Sequence, residues 1–150
     1  MLPAFFVRSR GLGKLYGQCF APLLEQSGLT QLEMDILLFL ANNPGHDTAR
    51  DIVELRHLAK SHVSAGVENL VRRGLLERVY REGNRKVIHL RLLPETDGLI
   101  AAGREIQRQY GEALFRGFTQ AERKELARLL DRIARNVDSA LASQEERNVE

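Results

Sequence analysis

Between Thr48 and Leu92 the chain sets out small polar and basic side chains at two places. The first is Lys60, Ser61, His62, Ser64 and Ala65, on the opening turns of a helix expected over about residues 60–73. The second is Arg81, Asn84, Arg85 and Lys86, at the tip between two short expected strands. A serine hydroxyl can donate to or accept from several base edges, and an alanine methyl can meet a thymine methyl. His62 can contact a base or a phosphate, and a helix N-terminus favours a phosphate nearby. The Arg85 guanidinium suits a narrow A·T-rich minor groove, where the negative potential is deepest. Arg81 and Lys86 suit phosphates, which ask for charge more than for geometry. Together these groups could read double-stranded DNA, with the helix in the major groove and the basic tip beside it. Ser61, His62 and Ser64 would sit equally well on any solvated surface. Arg72, Arg73 and Arg78 could touch phosphates or simply solubilise the end of the helix.

These groups need a frame. Asp47 or Thr48 can cap a short helix reaching about Glu54 or Leu55, with Ala49, Ile52 and Val53 inward, and Leu55 to Leu58 makes the turn. The next helix turns Val63, Val67, Leu70 and Val71 inward and ends at Gly74. Gly66 inside it costs about 1 kcal/mol relative to alanine, which suits a close approach of another helix or of a ligand. Leu75 to Tyr80 and Val87 to Leu92 alternate as antiparallel strands, and Arg81-Glu82-Gly83-Asn84 supplies the turn. Upstream, Thr30-Gln31-Leu32-Glu33 is a capping box. It opens a helix whose buried face is Leu32, Ile36, Leu37, Leu40 and Ala41, stopped by Asn42-Asn43-Pro44-Gly45. Before that, Leu12, Leu15, Tyr16, Cys19, Phe20, Leu23 and Leu24 form one helical stripe from about Ala4 to Gln26. Pro22 is expected to bend or break that helix, and Ser27-Gly28 to end it. Downstream, Pro94 fits the first turn of a long helix with its stripe at Leu99, Ile100, Gly103, Ile106, Tyr110, Ala113, Leu114 and Phe118. Thr119 to Glu122 is a second capping box. It opens a last helix with Leu126, Leu129, Leu130, Ile133, Val137 and Leu141 on one side. From about Ser143 no apolar face remains, and the tail is expected to fray. The expected fold is thus mainly α with a small β-hairpin.

Bulk properties exclude several classes. A chain of 150 residues with 43% hydrophobic content is expected to form one domain of ordinary size, or one domain with helical extensions, and the absence of Trp suits an aliphatic helical core. From Asp47 to Leu92 there are ten Lys/Arg against six Asp/Glu, a segment charge of +4; since the whole chain is +2, the remainder is −2. A basic segment in a slightly acidic frame is the footprint of a nucleic-acid-binding module. A module that binds protein and not DNA would be favoured by an acidic face, and this one is basic. Cys19 is the single cysteine, so no disulfide within the chain and no CxxC motif exist, which suits a reducing cytoplasm. On its apolar stripe Cys19 reads as a small hydrophobe. His46, His57, His62 and His89 are scattered, with no i, i+4 pair, and no metal or other cofactor is expected. The apolar run at the N-terminus is too short for a signal peptide or a membrane span. No nucleophile stands beside a base, no carboxylates cluster on one face, and Gly11-Leu12-Gly13-Lys14 lacks the spacing of a phosphate loop. Catalysis is not expected.

With these residues assembled, the chain resembles the MarR family of bacterial transcription regulators over nearly its whole length. Leu29-Thr30 through Leu40 resembles that family's second helix. Lys60-Ser61-His62-Val63-Ser64 with Val67, Leu70, Gly74-Leu75-Leu76 and Arg78 resembles its recognition helix and the start of its wing. Asn84-Arg85-Lys86, followed by Leu90 and Leu92, is similar to its Asp-Arg-Arg wing. The resemblance implies a winged helix-turn-helix lobe at residues 30–92, dimerisation helices at 4–27 and 94–142, and a symmetric homodimer on a pseudo-palindromic operator. It also implies a small-molecule effector, aromatic or phenolic, and a repressor role. Four positions depart from the family pattern. Asn84 replaces the usual aspartate: it can still hydrogen-bond Arg85 but lacks the charge that would orient it, which leaves the wing arginine less fixed; Ala59 replaces a capping serine, Ala65 a long polar residue, and Leu93 a capping threonine. Recognition would therefore lean on phosphate contacts and DNA shape.

Overall fold

The computed structural model describes residues 2–147, with side chains from residue 8 onward. In chain order it holds α1 (Leu2–Ser27), α2 (Gln31–Asn42), α3 (Ala49–Arg56), α4 (Lys60–Arg72), β1 (Leu76–Arg81) and β2 (Asn84–Leu92). A single 3-10 turn at Pro94–Thr96 leads into α5 (Asp97–Leu114), and α6 (Gln120–Arg147) closes the chain. The chain divides into two compact units, Met1–Tyr110 and Gly111–Glu150.

The first unit is built around α2. Met34, Ile36, Leu37, Leu38, Phe39 and Leu40 are all buried, so this helix is covered on more than the one face its spacing predicts, as a helix apolar all round must be. Its start follows the expected capping box: Glu33 N–H donates to Thr30 Oγ1 at 3.2 Å, and Thr30 N–H donates to Glu33 Oε2 at 2.9 Å. Two glycines let neighbouring helices come close. A Cβ on Gly66 of α4 would stand 2.9 Å from the Ile36 end methyl, so the close approach read into this glycine is to α2. A Cβ on Gly103 of α5 would meet Leu38 Cδ2, Cδ1 and Cγ at 2.9, 3.1 and 3.3 Å. Gly103→Ala must push a whole buried leucine end aside, and we expect a net loss of about 1 kcal/mol after alanine's helical gain. Gly66→Ala displaces one terminal methyl and should fall nearer zero. Thermal unfolding of the two variants checks the order.

Beside Gly103, the middle of α5 is latched to the C-terminus of α2. Arg104 donates to the Ala41 carbonyl at 2.8 Å and to Asn42 Oδ1 at 2.9 Å. Asn42 Nδ2 donates to Gln107 Oε1 at 3.3 Å, and Gln107 Nε2 donates to Tyr16 Oη at 3.1 Å. From α1, Phe20 is fully buried in the core and packs on Tyr16 with ring centroids 4.7 Å apart.

Three local expectations change. Pro22 lies inside an uninterrupted α1. It removes a hydrogen bond only from the Gln18 carbonyl, and both residues are on the exposed side, where solvent takes that group. The long helix does not begin at Pro94; the 3-10 turn intervenes, and Thr96, fully buried, donates its hydroxyl to the Leu93 carbonyl at 2.6 Å. The expected fraying from Ser143 is not seen as far as Arg147. The Gln-Glu-Glu-Arg run favours helix, and Arg147 Nε donates to the Ser143 carbonyl at 3.2 Å.

The second unit holds the end of α5 and all of α6. Its second capping box forms as the spacing predicts, with Glu122 N–H donating to Thr119 Oγ1 at 3.2 Å and Thr119 N–H to Glu122 Oε2 at 2.8 Å. Leu129, Leu130, Ile133, Val137 and Leu141 leave an apolar stripe of α6 exposed, each at 42–52%.

Candidate nucleic-acid interface

The helix pair begins at Thr48. Its hydroxyl accepts the Asp51 N–H at 3.1 Å and Asp51 Oδ2 accepts the Thr48 N–H at 3.0 Å. Of the two expected caps the structure therefore uses Thr48, in a third capping box whose Thr-x-x-Asp spacing was legible. α3 runs to Arg56, and His57 turns the chain with a left-handed φ of 50°. Arg56 reaches Asp35 on α2 at 3.8 Å, and Asp35 also accepts Gln31 Nε2 at 3.0 Å and Tyr16 Oη at 3.4 Å. Burial lifts the Asp35 carboxyl above the usual carboxylate range, against the pull of Gln31, Arg56 and Tyr16.

α4 is seated by Val63, Val67 and Leu70, all buried. Its far end is clamped by polar groups. Asn69 Nδ2 donates to the buried Glu33 carboxylate at 2.5 Å, and Arg73 donates to the Ser27 and Gly28 carbonyls at 2.7 and 3.1 Å. That clamp leaves the opposite face outward. Lys60, Ser61, His62, Ser64 and Ala65 are all exposed, as their spacing predicts. The helix starts at Ala59, which offers no side-chain cap.

The wing is a two-stranded antiparallel hairpin with Leu76 opposite Leu92 and Val79 opposite His89. The register shifts between Val79 and Arg81, and the tip turns through Gly83 at φ 77°. Asn84 Oδ1 accepts the Lys86 backbone N–H at 3.0 Å. The wing asparagine thus shapes the tip through the main chain, and the bond to Arg85 that it could have made is not formed. The hairpin is docked at its base: Leu90 N–H donates to the Asp47 carbonyl at 2.7 Å, His89 Nδ1 lies 2.7 Å from Asp47 Oδ1, and Arg81 Nη2 lies 3.5 Å from Asp47 Oδ2. The sequence offered Asp47 only as a cap and His89 only as a scattered histidine; their docking role was not legible, because the contact joins residues 42 apart.

The ten basic residues of the segment now separate. Arg50 pairs with Glu54, Arg56 with Asp35, Arg78 with Glu68, Arg81 with Asp47 and Arg91 with Glu77. Arg72 bonds Asn69 and Arg73 the end of α1. Among the described residues, the side chains of Lys60, Arg85 and Lys86 have no such partner. Two of the three stand at the wing tip and the third at the start of α4. Among the described residues, no three His, Cys, Asp or Glu side chains come together to hold a metal ion.

Comparison with known proteins agrees with this geometry. Residues 27–86 match the sequence model of the MarR family. No curated protein matches the chain. Among solved structures, a MarR family transcriptional regulator from Listeria monocytogenes complexed with 26mer DNA is similar at a TM-score of 0.77 and 20% identity, covering 91% of this chain and 88% of that one. The S. aureus MepR–DNA complex gives 0.71 and 21%, covering 89% and 94%. Bordetella bronchiseptica BpsR, described with regulation of its DNA binding by 6-hydroxynicotinic acid, gives 0.70 and 21%, covering 89% and 93%. The fold is the winged helix of these MarR structures.

Proposed function

We propose that this chain is a MarR-family transcription regulator that binds double-stranded DNA as a homodimer on a pseudo-palindromic operator and acts there as a repressor. The observation that carries the reading is the set of uncommitted cations. Seven of the segment's ten basic side chains are held by partners within the protein; Lys60, Arg85 and Lys86 are left, at the two points that would meet adjacent grooves. Between them the exposed Ser61, His62, Ser64 and Ala65 face outward to reach base edges. The fold is similar to that of structures whose descriptions include bound DNA.

The exposed stripe of α6 supports the homodimer. Apolar surface of that continuity on one helix face marks an interaction site. A small aromatic or phenolic effector is supported by the relative whose DNA binding answers to 6-hydroxynicotinic acid. No helix among the described residues is long and apolar enough to cross a membrane, which is consistent with action in the cytoplasm.

Binding to DNA upstream of the chain's own gene, followed across a salt series, tests the reading. Three free cations in the Asp47–Leu92 segment of each protomer make six per dimer, so log affinity should fall against log salt with a slope of about −5. Absence of binding at low salt would overturn the DNA-binding function and favour a protein-interaction module.

A further inference from the structure

One side chain joins the loop before α3 to both strands of the wing. Asp47 Oδ1 meets His89 on β2 at 2.7 Å, its Oδ2 lies 3.5 Å from Arg81 at the end of β1, and its carbonyl accepts the Leu90 N–H. The next residue, Thr48, is the cap that starts α3. The His89 side chain is only 12% exposed and Asp47 32%, so this pair is better shielded than a surface contact. A two-stranded hairpin has little stability of its own, so its direction is set by whatever docks it.

We propose that Asp47 is a positioning residue for the wing. Through His89 and Arg81 it fixes the angle at which the Arg85–Lys86 tip stands to α4, and with it the spacing between the groove taken by α4 and the groove reached by the tip. This rests on the DNA-binding reading and deepens it. Electrostatics makes the inference separable: an acidic side chain near a DNA-facing surface repels phosphate, so its removal for charge reasons alone would strengthen binding. A positioning role requires the opposite sign.

The experiment is a double-mutant cycle on DNA affinity, pairing Asp47→Ala with a tip variant carrying Arg85→Ala and Lys86→Ala. Asp47→Ala keeps the main-chain bond to Leu90, and thermal melting confirms that the lobe stays folded. Its affinity should fall about tenfold in the otherwise natural protein and less than about twofold in the tip variant, because the tip is what Asp47 positions. Asp47→Asn, which keeps an acceptor oxygen for His89, should recover most of the loss. Unchanged or tighter binding by Asp47→Ala would overturn the proposal while leaving DNA binding intact, as would an equal loss in both backgrounds. A natural protein that binds no DNA would overturn both.

Discussion

Replacing Arg85 by alanine is expected to weaken binding to operator DNA by about ten- to a hundredfold, or roughly 1–3 kcal/mol. Among the described residues the Arg85 side chain has no hydrogen-bond or ion-pair partner, and it is exposed at the tip of a hairpin whose arginines Arg78, Arg81 and Arg91 are paired. Its substitution should leave unfolding within about 0.5 kcal/mol of the natural protein. Affinity and stability therefore separate, and a titration beside a thermal melt reads both. Arg85→Lys keeps the charge but loses the flat guanidinium that fits a narrow groove, so it should recover only part of the affinity. Unchanged affinity in Arg85→Ala would remove the wing tip from the interface.

Phe20→Ala should cost about 3–5 kcal/mol of folding stability. Phe20 belongs to α1, a helix that the sequence assigns to dimerisation, yet its ring has 0% exposure and lies with Met34, Leu37 and Leu38 in one core. Loss of the ring leaves a cavity beside Tyr16, whose hydroxyl is held by Gln107 and Asp35, so the neighbours cannot easily collapse into it. Denaturant unfolding measures the loss. A cost below about 1 kcal/mol would mean that the surroundings close over the gap and that α1 is only loosely part of the lobe. The exposed Leu12 and Leu15 lie elsewhere on the same helix, so α1 presents separate faces to the core and to solvent.

Much of this was legible in the sequence because it is local. Thr30 with Glu33, Thr119 with Glu122, the glycine ends at Gly28 and Gly74, and the inward positions of α4 are all set by residues within one or two turns. The exposed face of α4 was legible for the same reason: once Val63, Val67 and Leu70 are fixed as inward, Ser61, Ser64 and Ala65 must point out. What was hidden depends on residues far apart in the chain. Nothing near Arg73 says that it will bond the end of α1, 45 and 46 residues away. Nothing near Asp47 says that it will receive His89. The sequence thus left Arg72, Arg73 and Arg78 open as phosphate contacts; the structure gives them internal partners in Asn69, the end of α1 and Glu68. The break that Pro22 allowed does not occur, since a proline on the solvent side of a helix deprives only an exposed carbonyl of its bond.

The helix starts have one further consequence. α2, α3 and α6 each begin with a threonine hydroxyl and an acidic side chain exchanging bonds with the backbone. α4 begins at Ala59 with nothing of the kind, and a missing cap of this sort lowers helix stability by about 0.5–2 kcal/mol. Its C-terminal half is pinned through Asn69 and Arg73, so the deficit falls on the opening turn. That turn is where local opening and exchange of amide hydrogens with solvent should be fastest within the helix pair. The segment that would read the bases is thus the most weakly capped helix start of the pair, and a phosphate at its amino end would satisfy the donors that Ala59 leaves open. Selectivity would then include a local stabilisation step: DNA that places a phosphate there holds the opening turn more firmly than DNA that does not.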